Sequence, residues 1–134
     1  MKKVLTVGVY DLFHYGHLQS LKKARKLGDH LTVAVHDDLE RSKGIDFVYS
    51  LEQRMEVVAS LSFVDEVISY RRVDQLIGKV DFDVFARGAD QNHEYFQRMF
   101  SWCYQNDVEL VTIPRTFGIS STQMRHDPQS ILVV

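Results

Sequence analysis

The densest chemistry in this chain lies in the run GVYDLFHYGH, residues Gly8 to His17. His14 and His17 stand three apart, and at the entry of a helix that spacing turns two imidazoles towards one point in space. Gly16 carries no side chain, so a phosphate is expected to reach backbone N–H groups at the positive end of that helix. Gly8 is expected to let the main chain pass close to a ligand where a strand ends. Attack on an α-phosphorus gathers charge on its non-bridging oxygens, and two fixed imidazole N–H donors suit that charge. The plain alternative is a pair of surface or core histidines. With 6 His and 7 Gly in 134 residues, His-x-Gly-His arises by chance in about 1% of such chains. Its place after a strand and before a helix favours the phosphoryl-transfer reading further. Asp11, beside the histidines, reads as a helix cap or as the orienter of one ring.

A second constellation is Arg115-Thr116-Phe117-Gly118-Ile119-Ser120-Ser121-Thr122. It reads as a strand-to-helix connection with a good N-cap. An arginine, three successive hydroxyls and a free helix start also make an anion site. Two such starts at one sheet edge can grip a triphosphate. Arg87-Gly88-Ala89-Asp90 follows another predicted strand, where Asp90 reads a base, assists a metal or serves as an ordinary turn aspartate. Lys43 is one loop lysine among 16 basic residues; facing two anionic substrates, it would neutralise the charge they share.

Positioning these residues requires a sheet. Lys2–Val9, Leu31–Val35, Val64–Ile68, Phe82–Ala86 and Val108–Ile113 read as strands. Helical spacing covers Tyr15–Leu27, a segment opened by the Ser50–Gln53 capping box, Val73–Lys79 and Asn92–Asn106. Ser120–Gln123 is a second capping box. Alternating strands and helices predict an α/β fold, a Rossmann-like, doubly wound parallel five-stranded sheet in a single domain. Such sheets bind ligands beyond the carboxyl ends of their strands. Both constellations fall there.

At 134 residues the chain suits one core. Its 45% hydrophobic and 25% charged residues are ordinary for a soluble globular protein. A net charge of −2 argues against bulk nucleic-acid binding. No apolar run approaches the ~20 residues of a membrane helix, and MKKVLTVGVY does not read as a signal peptide. The single cysteine, Cys103, fits a reducing cytoplasm, and its apolar helix face argues packing rather than nucleophile. Tyr95 and Trp102 fall off that face, where a second subunit could meet them.

GVYDLFHYGHLQSLKKARKLGDHLTVAV, then LEQR, VDEVI, DVFARGAD and PRTFGISST, together resemble the cytidylyltransferases of the His-x-Gly-His nucleotidyltransferase superfamily. The resemblance is nearest to members acting on glycerol 3-phosphate and spans Lys3 to about Arg125. It implies a domain over 1–127, leaving 128–134 as a tail without an assigned role. It implies CMP transfer from CTP to a small phosphomonoester with release of pyrophosphate, Mg²⁺ carried with the CTP, and a homodimer. By the same resemblance His14 and His17 stabilise the reacting α-phosphate, and Val9 and Tyr10 touch the nucleotide through their backbone. Arg115 to Thr122 hold the base side and the outer phosphates.

The chain also departs from that pattern. Val9 replaces a threonine, Ile45 stands where a second loop lysine falls, and Val73 and Leu76 lie near a usual lysine and tryptophan. Lys43-Gly44 and HYGH resemble the choline- and ethanolamine-phosphate enzymes instead. Glycerol 3-phosphate ranks first as acceptor, with ethanolamine or choline phosphate next. Lys43 and Asp11 are the candidates to meet the acceptor, Lys43 at its phosphate and an acid such as Asp38 or Asp11 at an amine. Two alternatives stay open: AMP transfer from ATP, because Ile119-Ser120-Ser121-Thr122-x-x-Arg125 also resembles adenylyltransferases, and a non-catalytic nucleotide-binding module.

Overall fold

The computed structural model describes residues 1–37 and 47–115. Asp38, Lys43, Thr116, Gly118, Ile119, Ser120, Ser121, Thr122 and the second capping box lie outside the described residues. In chain order the elements are β1 Lys3–Gly8, α1 Tyr15–Arg25, β2 His30–His36, α2 Leu51–Ala59 and β3 Glu66–Tyr70. A 3₁₀ turn Val73–Leu76, β4 Val84–Gly88, α3 Glu94–Gln105 and β5 Glu109–Ile113 follow. The strands form one sheet in the order β3-β2-β1-β4-β5, every pair parallel. The chain steps outward from β1 in one direction through β2 and β3, then returns and steps outward through β4 and β5. Beyond the carboxyl ends of β1 and β4 those paths diverge, at the switch point where doubly wound sheets place a ligand crevice.

A strand covered on both faces must be apolar on both, which is why VLTV, LTVAV and VFA read as continuous runs. Alternate residues divide between two cores. Val4, Leu31, Val33, Val35, Val84 and Ala86 pack against Leu21 and Ala24 of α1 and Val58 of α2. Leu5, Val7, Ala34 and Phe85 pack against Phe96, Met99 and Cys103 of α3 and Val73 and Leu76 of the 3₁₀ turn. Ser50 caps α2 as its spacing predicts, Gln53 returning the bond to the Ser50 N–H.

Strands β3 and β4 begin two residues later than the apolar pattern predicts, for one reason. Asp65 accepts the Leu31 N–H at 2.8 Å and Asp83 accepts the Lys3 N–H at 2.9 Å. A carboxylate before each strand thus takes a donor near the start of the neighbouring strand, while its own N–H donates to the same residue's carbonyl. The expected helix over Val73–Lys79 is only the short 3₁₀ turn. Tyr95 and Trp102 have partners within the chain, Tyr95 under the Arg72 guanidinium at 4.4 Å and Trp102 on Phe82 at 5.4 Å. Tyr104, 89% exposed, is the α3 aromatic that faces outward. No helix among the described residues is long and apolar enough to cross a membrane.

Candidate active site

The turn from β1 to α1 carries the histidines, and they build the helix start themselves. His14 is the N-cap of α1, and its Nδ1 accepts the Gly16 N–H at 2.9 Å. His17 reaches back, its Nδ1 accepting the His14 N–H at 3.2 Å. The result is a capping box made of two imidazoles, with rings stacked at 4.0 Å. A nitrogen that accepts a hydrogen bond carries the lone pair, so in each neutral ring the proton sits on Nε2. Burial lowers the pKa of His14. Burial, reinforced by His14 and opposed by Asp11, lowers that of His17 to about 3. Two neutral rings, each locked by the main chain, therefore offer Nε2–H donors.

This arrangement changes the parts expected of the glycines. The Gly16 N–H, expected to face a phosphate, is taken up by His14 Nδ1 in this structure. A Cβ on Gly8 would lie 2.7 Å from Cζ of Tyr10, so the missing side chain makes room for that ring. The Tyr10 ring is buried and meets His17 edge-on at 5.6 Å. Burial raises its phenol above the ordinary range, so it keeps its proton.

Tyr10 and Leu12 have φ of +57° and +50°, each a left-handed conformation that costs about 1–3 kcal/mol outside glycine. Such a turn persists only where its surroundings hold it. Asp11, 2% exposed, accepts the Val48 N–H at 2.8 Å and the Tyr49 N–H at 3.0 Å. It does not cap α1, as supposed, because His14 does. Both its oxygens face main chain, which makes it a tether and weakens the expectation that it meets an acceptor.

The tether has a counterpart that the sequence reading missed. Arg54 of α2, 1% exposed, donates through Nη1 to the carbonyls of Val9 at 2.9 Å and His36 at 2.8 Å. Its Nε donates to the Tyr49 carbonyl at 3.1 Å, and the Phe47 ring lies over the guanidinium at 4.7 Å. One signal was available: Arg54 follows Leu51 by three and precedes Val58 by four, on the apolar face of the helix.

On the other side of the crevice Gln91, also unanticipated, closes the gap between β1 and β4. Its amide donates to the Val7 carbonyl at 2.9 Å and accepts the Gly88 N–H at 2.9 Å. Arg87 lies over Phe100 at 4.6 Å and donates to the Gly88 and Ala89 carbonyls. Its guanidinium therefore serves its own turn. Asp90 pairs with Arg115 at 2.8 Å, their side chains 71% and 64% exposed. Two expected nucleotide ligands thus meet each other across the ends of β4 and β5, in an exposed pair worth little to stability. Among the described residues no three His, Cys, Asp or Glu converge to hold a metal ion.

A doubly wound parallel sheet with its polar loops gathered at the switch point is the architecture of a nucleotide-binding α/β protein. Within that class the chain belongs to the cytidylyltransferase-like family, whose family model matches residues 5–127. It is 36% identical to glycerol-3-phosphate cytidylyltransferase of Bacillus spizizenii, over 98% of this chain and all of that one. With the enzyme of the same name from Staphylococcus aureus it shares 37% identity over 95% of each chain. An FAD synthase from Thermococcus sibiricus is 41% identical over 86% of this chain and 82% of its own. Among solved structures, the lipopolysaccharide core biosynthesis protein of Thermoplasma volcanium superposes with a TM-score of 0.71 at 26% identity, covering 87% and 97% of the two chains.

Proposed function

We propose that the protein transfers CMP from CTP to a small phosphomonoester, glycerol 3-phosphate first among them, and releases pyrophosphate. The observation carrying this reading is the pair of main-chain-locked, neutral imidazoles at the switch point. An oxygen of the acceptor's phosphate dianion attacks the α-phosphorus of CTP in line, and the bond to the bridging oxygen of pyrophosphate breaks. The attacking group is already ionised and needs no general base. What the chain supplies is position and charge stabilisation. The Nε2–H donors of His14 and His17 meet the charge that grows on the α-phosphate oxygens. Arg115 binds the triphosphate on leaving Asp90, and Lys43 steadies the acceptor phosphate. Mg²⁺, carried by the triphosphate, supplies charge neutralisation. Among the described carboxylates at this edge, exposed Asp90 fits such an ion better than Asp11, whose oxygens face main chain. As its resemblance implies, the protein works as a homodimer.

The kinship with the FAD synthase, whose product contains an AMP unit, favours a second reading in which ATP is the donor. One experiment separates the two. Protein and Mg²⁺ are mixed with CTP or ATP and with glycerol 3-phosphate, ethanolamine phosphate or choline phosphate. Pyrophosphate is measured, and the product is identified by mass. Turnover with CTP and glycerol 3-phosphate is expected. Turnover only with ATP replaces this reading by the second, and tight CTP binding without pyrophosphate from any pair defeats both.

A further inference from the structure

The turn that carries the two histidines is closed through Arg54. From Val9 the hydrogen-bonded path runs to Arg54, from Arg54 to the Tyr49 carbonyl, and from the Tyr49 N–H to Asp11. The circuit encloses Tyr10, the first of the two left-handed residues, and Leu12 follows directly on Asp11. Its far side is anchored in α2 and, through the His36 carbonyl, at the end of β2. A guanidinium suits this place because its rigid fork serves several acceptors at fixed angles and stays charged. A lysine ammonium has the charge without the fork.

We propose that Arg54 is a positioning residue for the reaction, holding the left-handed turn so that the Nε2 atoms of His14 and His17 converge on the reacting phosphate. This rests on the reading of the histidines given above. If Arg54 acted only by filling the core, its replacement would lower stability and leave turnover per folded molecule unchanged. If it acts through the turn, the histidines lose their aim while the nucleotide still binds.

The test uses the full chain with Arg54→Lys and Arg54→Gln. Four quantities are measured: kcat at saturating CTP and glycerol 3-phosphate, CTP affinity by titration calorimetry, thermal unfolding, and the ¹⁵N resonances of the two histidine rings. Arg54→Lys is expected to fold and to lose about 10–100-fold in kcat, the scale of a misaimed donor. Its CTP affinity should move by no more than about 3-fold, with altered His14 and His17 ring resonances. Arg54→Gln should show the same split, more severely. The proposal is overturned if kcat per folded molecule is retained, if CTP affinity falls by the same factor as kcat with unchanged histidine resonances, or if neither variant folds. Failure of the underlying reading looks different: the wild-type protein would then not transfer CMP, or His14→Ala and His17→Ala would keep normal turnover.

Discussion

Gly8→Ala adds one carbon where β1 hands the chain to the histidine-bearing turn. The new Cβ would stand 2.7 Å from Tyr10 Cζ, 2.9 Å from Cε2 and 3.0 Å from Oη. Ordinary contact begins near 3.4 Å, so the ring must retreat by about 0.7 Å. It has little room, being 7% exposed and packed on His17 at 5.6 Å and Phe13 at 6.3 Å. Overpacking of this kind costs about 1–3 kcal/mol, which lowers Tm by roughly 3–10 °C in a chain of this size. The displacement passes into the His17 ring, and an error approaching 1 Å in a catalytic group costs on the order of 10²-fold. Gly8→Ala should therefore lose about 10–100-fold in kcat, read by steady-state pyrophosphate release beside calorimetric unfolding. Tyr10→Leu lacks the three clashing atoms, so in that background the alanine should cost less, with a coupling of about 1–2 kcal/mol. A Gly8→Ala protein with wild-type Tm and kcat would refute the argument.

Three further outcomes are expected. The His17 pKa of about 3 lies below the ordinary 6.5, so as pH falls from 6.5 towards 3 the unfolded chain gains a proton that the folded chain resists. Stability should decline through that window, while a pH–rate profile between about 6 and 8 shows no step from histidine protonation. Arg115→Ala should weaken CTP binding by about 1.5–3 kcal/mol, the scale of a charge-assisted contact. Because its ion pair with Asp90 is exposed, Tm should stay within about 2 °C, and calorimetry reads both. Cys103 is fully buried and burial raises its thiol pKa to about 11. Cys103→Ser should cost about 1–3 kcal/mol of stability and leave kcat unaltered, whereas rapid inactivation of the folded protein by a thiol reagent would contradict its packing role.

The five strands were legible because β-branched runs bounded by turn residues have few other uses. Two of their starting points were not, since Asp65 and Asp83 act by a side-chain bond to another strand that no periodicity encodes. The place of His14 and His17 could be read, and so could the capping box at Ser50. That the two histidines form a capping box of their own could not be assumed. Imidazole is not among the usual caps, and a glycine beside it suggests a ligand first. A second use of Gly8 was hidden in the same way: a Cβ there would meet the ring of a residue two places on. Arg54 was hidden by the expectation that charge lies outside, although its position on the apolar face of α2 signalled burial. The Gln91 bridge to Val7 spans 84 residues and the Arg115–Asp90 pair 25, separations at which a single sequence gives no local sign.

Because the catalytic role proposed for His14 falls on the residue that caps α1, this protein departs from the usual bargain between activity and robustness. Active-site residues are commonly tolerated at some loss of stability, and replacing them often makes an enzyme hardier. Here truncation of His14 removes a cap worth about 0.5–2 kcal/mol along with the donor that the proposed reaction uses. Selection for a firmer fold and selection for turnover then press on that position in the same direction. A drift towards inactivity is penalised twice, once in chemistry and once in the amount of folded protein a cell can keep. The escape route is a different cap: asparagine or serine at position 14 would restore the helix start without the imidazole. A chain that took that route could persist as a folded, nucleotide-binding descendant with no transferase activity.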